Sequence, residues 1–410
     1  MNTTSTLGFK HFLFLWFGAA VSVPEILAGG LLAPLGLASG ATAILAGHLI
    51  GTTLLALVGL IGFKERVPAI ESTRISFGAY GARLFALLNV LQLIGWTTIM
   101  ILSAARSVNE ITRILFQIDN TTIWSVTIGT LILLWVALGR ESGWKKLNMA
   151  AVWLLFGLTV VLSWAVLRNP VVAQQPAAGM LNFTEAIELS IAMPLSWLPL
   201  AADYTRFARS GKSAAWGSFI GYFTGSCWMY LIGLGVAVKT GNADPAAVML
   251  AANLGLAALG IVILATITTT FMDAYSAGVS IATLCPGLNE KHMAMAVTLL
   301  GAALALIIDM EQYISFLLAI GSVFAPLFAI LLTDYFILKN RRIRPELQAN
   351  WSALAVWCVG IALYYQFLDL KLALGATIPV IIVTAFIYTI VGRFANTWTY
   401  CKQQPKPSQP

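Results

Sequence analysis

Trp16-Phe17-Gly18-Ala19-Ala20-Val21-Ser22-Val23-Pro24-Glu25-Ile26-Leu27-Ala28-Gly29-Gly30 decides the fold. A proline, a carboxylate and several glycines sit where a bilayer-spanning helix should keep an unbroken apolar middle. Pro24 lacks a backbone donor and collides with the carbonyl four residues back, so the helix is expected to open near Gly18 to Ser22 and leave carbonyls unpaired. Hydrocarbon cannot satisfy those carbonyls, and a break at membrane depth survives where it lines a cavity or binds something. Glu25 needs a partner for the same reason. The competing reading is a proline kink patched by a neighbouring helix.

Outward from that stretch, the chain is apolar throughout. Of 410 residues, 59% are hydrophobic and 10% charged, and the mean hydropathy is +0.84, which points to a polytopic membrane protein. No cleavable signal is expected, because the first apolar run is too long for one and no A-x-A site follows it. Runs of roughly 17–25 apolar residues give about twelve spans, near 12–36, 41–63, 84–108, 121–139, 148–168, 185–205, 215–238, 250–283, 293–309, 313–338, 351–368 and 373–393. The expected organisation is an N-terminal segment 1–11, two five-span units at 12–168 and 185–338, two further spans over 351–393 and a tail over 394–410.

The net charge of +7 would suit a nucleic-acid partner, but its distribution is a topology signal. With the N-terminus in the cytoplasm, all but Arg106, Arg113, Arg168, Lys239 and Lys371 of the 24 basic residues fall inside. That bias predicts a cell (inner) membrane protein with both termini cytoplasmic and no nucleic-acid partner. The four cysteines, Cys227, Cys285, Cys358 and Cys401, show no metal or redox spacing, and buried free thiols are expected. Neither a zinc motif nor a nucleophile elbow is present, so an enzyme is not expected.

The sixth span, Phe183-Thr184-Glu185-Ala186-Ile187-Glu188-Leu189-Ser190-Ile191-Ala192-Met193-Pro194-Leu195-Ser196-Trp197-Leu198-Pro199, carries two prolines five residues apart. A continuous helix is not expected there. Spans one and six are then both interrupted, at matching places in two units of odd span number, so the second unit runs inverted. Such paired interruptions point to a transporter site near the bilayer midplane. Coincidence is the alternative, since proline is common in membrane helices.

Gln92 and Trp96 lie at i, i+4 on the third span, so both project from one face. A buried tryptophan is a platform for a planar ring, and the glutamine offers a donor and an acceptor. Packing and interhelical hydrogen bonding are the other reading. In the eighth span, Thr268 and Thr269 stand at i+3 and i+4 from Ala265, so their hydroxyls can lie beside its carbonyl. Threonine hydroxyls in membrane helices usually bond back one turn. Turned instead toward the opened first span, they complete a cage of neutral oxygens suited to Na⁺. Asp203 and Arg206 are close enough to pair at a helix end, as a gate or as interfacial anchors like Asp334.

With Gly29-Gly30, Gln92, Gly95-Trp96, Ala201-Ala202-Asp203-Tyr204-Thr205-Arg206-Phe207, Ala265, Thr268, Thr269, Tyr275, Gly278 and Asp334-Tyr335, the chain resembles the nucleobase:cation symporter family over nearly its whole length. The resemblance implies an all-α, LeuT-like five-plus-five inverted repeat with helices 1 and 6 broken and two extra helices. It implies alternating access driven by sodium, with a planar heterocycle stacked on Trp96. Carried over by position, the ion would take backbone oxygens from Gly18, Val21 and Ala265 and side-chain oxygens from Thr268 and Thr269. Gln92, Ser22, Ser196 and Glu25 would surround the substrate. Two departures matter. The family's second stacking aromatic falls on Pro194, so either Trp197 replaces it from a different angle or the sandwich is one-sided. Glu25 stands where relatives handling cytosine carry a small hydroxyl residue.

A carboxylate at that point accepts two parallel hydrogen bonds from the edge of a 4-aminopyrimidine protonated on the adjacent ring nitrogen. The chain looks most like the branch associated with hydroxymethylpyrimidine, the thiamin precursor, which would be imported by sodium symport. A cytosine or other nucleobase permease, a proton-coupled carrier and an uncoupled facilitator are the alternatives. A structural pairing of Glu25 with His48 or a backbone donor is the competing role for the carboxylate. No cofactor is expected beyond the coupling ion, the partners are the substrate and the lipid, and the sequence says nothing of oligomeric state.

Overall fold

A computed structural model describes residues 7–138, 181–245, 256–372 and 374–401, with 150, 153–157, 159–161, 163 and 164 between the first two blocks; side chains at 256, 258 and 393–401 are outside the description. The elements are helical: α1 (Phe9–Ala20), α2 (Val23–Leu31), α3 (Gly36–Glu65), α4 (Ala69–Ser72), α5 (Arg74–Phe116), α6 (Thr121–Leu138), α7 (Phe183–Ser196), α8 (Leu198–Thr205), α9 (Gly211–Thr240), α10 (Leu256–Leu284), α11 (Glu290–Leu304), α12 (Tyr313–Leu332), α13 (Trp351–Asp369) and α14 (Thr377–Cys401). Among the described residues, seven helical stretches are long and apolar enough to cross a membrane. The first and sixth spans fall short of that length because each is split in two. The fifth span expected at 148–168 lies largely outside the described residues.

The packing has an internal symmetry. In span numbers, helix 1 lies along 7 and helix 6 along 2; 3 packs on 8 and 2 on 7; 3 on 4 and 8 on 9; 4 on 8 and 9 on 3. A shift of five exchanges the members of each set, the pattern that two equivalent five-helix units produce.

Glycines set the closest of these contacts. Gly217, Gly221 and Gly225 recur every four residues on α9, where an added Cβ would meet the Phe9, Leu13 and Phe17 carbonyl oxygens of α1 at 3.0, 2.4 and 3.1 Å. On the symmetry-related pair, Gly47 and Gly51 of α3 receive Ser190 and Pro194 of α7, at 2.5 and 2.3 Å from an added Cβ. Small residues at this spacing let membrane helices approach backbone to backbone. Gly29, of the Gly-Gly pair, belongs to the same system: a Cβ there would stand 2.1 Å from the Tyr230 carbonyl oxygen.

Polarity runs inside out relative to a water-soluble fold. On α5, Leu84, Leu87 and Leu91 face outward while Asn89, Gln92 and Trp96 are buried, as expected where lipid is the outer solvent and polar groups must find partners within the bundle. Polar caps mark the helix starts. Asn182 and Glu185 form a reciprocal capping box on α7, with both bonds at 2.9 Å, and Ser210, Asn289 and Asn350 cap α9, α11 and α13.

Candidate functional site

Helix 1 opens later and more sharply than its sequence suggests. α1 stays helical through Ala20, and the chain then runs extended through Val21 (φ −78°, ψ 91°) and Ser22 (φ −146°, ψ 158°) before Pro24 enters the first turn of α2. Proline suits that first turn, where its missing donor is not needed. The C-terminal carbonyls of α1 and the N-terminal amides of α2 therefore meet at one level, presenting partial negative and positive charge side by side. Glu25 lies in the first turn of α2, where the helix dipole favours an anion.

Helix 6 is interrupted differently. α7 and α8 are joined by Trp197 alone, which keeps helical angles (φ −87°, ψ −9°). Pro194 and Pro199 remove donors on either side, so the joint is a tight hinge and not an unwound segment.

Ala19, Ser22, Glu25, Trp96, Met100, Met193, Ser196, Trp197, Thr269 and Asp273 line a single cavity at the two breaks. Its volume of about 10 Å³ is room for one water, so a heterocycle enters only if side chains move. Trp197 faces this cavity and is backed edge-on by Trp16, with centroids 5.7 Å apart. Trp96 is packed by Phe316 at 5.5 Å and Tyr313 at 6.4 Å.

Of the expected substrate residues, Glu25, Ser22, Trp96, Ser196 and Trp197 line the cavity and Pro194 does not. Pro194 sits on the face of α7 that meets Gly51 of α3, whereas Met193, Ser196 and Trp197, at i, i+3 and i+4, point to the cavity. Gln92 lies just behind the lining. Its amide donates to the Ser196 carbonyl at 3.0 Å and to Asn89 Oδ1 at 3.1 Å, tying helix 3 to the hinge of helix 6. Its own oxygen, Oε1, and the Trp96 indole Nε1 are buried without a protein partner. Unpaired buried groups are costly, and here one acceptor and one donor stand one helical turn apart.

Between α1 and α10, the Thr269 hydroxyl stands 3.4 Å from both the Gly18 and the Ala19 carbonyl oxygens. The Thr268 hydroxyl bonds back to Leu264 O at 2.8 Å and lies 3.2 Å from Ala265 O, the local arrangement common in membrane helices. Gly18, Val21, Ala265, Thr268 and Thr269 are all buried. Their oxygens are neutral, a donor set that suits a monovalent cation and supplies no redox or soft-metal ligand.

Three further features complete the site, and the two methionines are the residues the sequence did not single out. Met100 and Met193 add flexible walls. Asp273, one turn beyond Thr269, brings a second carboxylate; its i+4 spacing was the available signal. Glu25 has both oxygens engaged, Oε1 by the Tyr222 hydroxyl at 2.8 Å and Oε2 by the Ser226 hydroxyl at 2.6 Å. At the helix end, Asp203 Oδ1 accepts from the Ala69 amide at 2.9 Å and caps α4. Arg206 reaches the Asp203 main-chain oxygen and the Tyr275 hydroxyl, so the expected Asp203–Arg206 ion pair is absent among the described residues.

Known proteins share this architecture. Mhp1, a nucleobase-cation-symport-1 family transporter solved in a closed conformation with bromovinylhydantoin bound, superposes with a TM-score of 0.79 at 20% identity, covering 96% of this chain and 95% of that one. The inward-facing conformation of Mhp1 gives 0.76 at 19% identity, over 95% and 92%. In sequence, the cytosine permease of Escherichia coli K12 is 27% identical over 344 residues, 78% of this chain and 76% of the permease. The family model for permeases of cytosine/purines, uracil, thiamine and allantoin matches residues 2–391, and the chain belongs to that family: it is a multi-pass membrane transporter and not an enzyme.

Proposed function

We propose that the chain imports a planar aminopyrimidine, with hydroxymethylpyrimidine the best candidate, by sodium symport through alternating access. The observation that carries this reading is the pairing of Trp96 and Trp197 in one cavity with Glu25, beside the orphaned Gln92 oxygen and Trp96 indole. A ring stacked on Trp96 would place its amino edge against acceptors, and Glu25 retains lone pairs for a ligand beside its contacts with Tyr222 and Ser226. An imide edge, as in uracil or hydantoin, offers oxygens to those same acceptors and fits less well. The sodium ion would occupy the oxygens of Gly18, Val21, Ala265, Thr268 and Thr269, with Thr269 joining helix 8 to the end of α1. Binding there would couple the opened first span to helix 8, a differential affinity commonly of about 1–3 kcal/mol. The two five-span units would move against each other around this site, with both chain termini in the cytoplasm of the inner membrane.

Cytosine is the second reading, favoured by the likeness to the Escherichia coli cytosine permease. Vesicle uptake of radiolabelled hydroxymethylpyrimidine, cytosine and thiamin, with and without a sodium gradient, separates the two. Sodium-stimulated accumulation of hydroxymethylpyrimidine is expected. Uptake of cytosine alone, or uptake indifferent to sodium, would overturn the substrate or the coupling respectively.

A further inference from the structure

Behind the cavity wall a carboxylate, a hydroxyl and an imidazole lie in line: Glu25 on α2, Ser226 on α9 and His48 on α3. Ser226 Oγ is 2.6 Å from Glu25 Oε2 and 2.6 Å from His48 Nε2, Tyr222 Oη is 2.8 Å from Glu25 Oε1, and His48 Nδ1 is 2.9 Å from the Ile44 carbonyl oxygen. Each of these contacts requires one hydrogen. The Ile44 carbonyl only accepts, so Nδ1 carries a hydrogen, and Tyr222 brings its own. The two contacts at Ser226 need two hydrogens, and serine has one. The other must come from Glu25 as the acid or from His48 as imidazolium. Without it, two lone pairs would face each other at 2.6 Å inside the protein.

We propose that Glu25, Ser226 and His48 form a binding site for one proton, and that this proton is carried along with the substrate. The proton has two positions. From the neutral form, Glu25 Oε2–H breaks as Ser226 Oγ gains that hydrogen, while the former Oγ–H passes to His48 Nε2. The result is a carboxylate and an imidazolium with the same net charge. The other titratable groups around the triad are Tyr222, Cys227 and Tyr230 on α9, Tyr313 on α12 and Asp273 on α10. Tyr230 packs edge-on to the His48 ring at 4.7 Å, Tyr313 bonds the Pro24 carbonyl at 3.2 Å, and Asp273 shares the cavity with Glu25. On α7, which also packs on α3, Glu188 is turned away toward Tyr364 and Thr377. No lysine or arginine is buried among the described residues, so the bound proton is what balances the Glu25 charge. Because Glu25 lines the cavity, a cavity that opens to each side in turn lets the proton exchange with each side in turn.

This inference rests on the cavity being the transport site, and the test separates the two. In vesicles without a sodium gradient, an acid-outside pH gradient should drive accumulation of labelled aminopyrimidine, up to about tenfold per pH unit for one proton. In His48→Gln the amide donates to Ser226, and Ser226 donates to Glu25, completing the network with no extra proton. That variant should lose pH-driven accumulation and keep gradient-free exchange of label, which also reports that it is folded. Equal pH-driven accumulation in the variant and the wild type, or none in the wild type, would overturn the proposal. Infrared difference spectra between acid and alkaline buffer read carboxyl and imidazole bands with no substrate present. A titrating band lost in Glu25→Gln supports the site even if no tested pyrimidine exchanges, and identical spectra refute it.

Discussion

Replacing Thr269 with valine separates an ion ligand from a packing residue. The Thr269 hydroxyl is 3.4 Å from two carbonyl oxygens at once, beyond the roughly 2.5–3.0 Å of a good O–H···O bond. Its loss as a hydrogen bond should therefore cost less than the ordinary ~0.5–1.5 kcal/mol. Contacts that long leave the hydroxyl's lone pairs available to a cation. If the hydroxyl is one of five sodium ligands, its removal should cost about 1–3 kcal/mol of coupling, a roughly 5–150-fold rise in the sodium concentration for half-maximal uptake. Two measurements decide. Uptake against sodium concentration should shift by that factor, while thermal unfolding without sodium should stay near wild type and the stabilisation by added sodium should shrink. An unchanged sodium dependence together with a lowered unfolding temperature would make Thr269 a packing residue and refute the cage.

Trp96→Ala should weaken ligand binding by the ~1–3 kcal/mol typical of one aromatic stacking face, with Trp96→Phe intermediate, read by competition binding. Glu188 accepts from the Tyr364 and Thr377 hydroxyls and the Ala376 and Thr377 amides, pinning α7 to the start of α14. Glu188→Gln should cost about 1.5–3 kcal/mol, seen as a lower unfolding temperature in detergent. Gly221→Val would drive its Cβ to 2.4 Å from the Leu13 carbonyl oxygen, whereas Gly235 on the same helix faces open space. The first should lose monodisperse protein and Gly235→Ala should not, measured by size-exclusion yield. Tyr313→Phe should speed labelling of Ser22→Cys by a thiol reagent, and Tyr204→Phe should not.

The break in helix 1, the placing of Trp96 at the cavity and the position of the Thr268–Thr269 pair were readable because each is local: proline chemistry and helical spacing place them without knowledge of any partner. Two kinds of information escaped. Pro194 and Trp197 differ by three residues, yet a family offset selects the first and helix geometry the second: positions 190 and 194 meet the glycines of α3, while 193, 196 and 197 form the neighbouring face. Of the partners of Glu25, His48 was named from the sequence as a structural alternative, whereas Ser226, 201 positions away, was not; only the tertiary fold sets it between the two. The glycine stripe on α9 went unread, although Gly217, Gly221 and Gly225 share the spacing of a membrane helix contact.

Two tyrosines stand on opposite sides of the cavity region, each tied to a neighbouring helix. Toward α12, Tyr313 bonds the Pro24 carbonyl at 3.2 Å and its ring stands against Trp96. Toward α8, Tyr204 bonds the Met272 carbonyl at 3.0 Å and packs on Trp16 and Tyr275. Asp203 caps α4, Arg66 holds the Arg206 and Ala208 carbonyls at 2.6 and 2.8 Å, and Leu7 bridges to Phe207 and Arg209. Among the described residues, Tyr313 contributes one such hydrogen bond on the first side and the groups named here contribute six on the second, each worth of order 1 kcal/mol net. The six ties on the other side all gather on α8 and its exit, immediately beyond the Trp197 hinge. On the proposed function, a ligand that displaced Trp197 would act directly on the element those bonds hold.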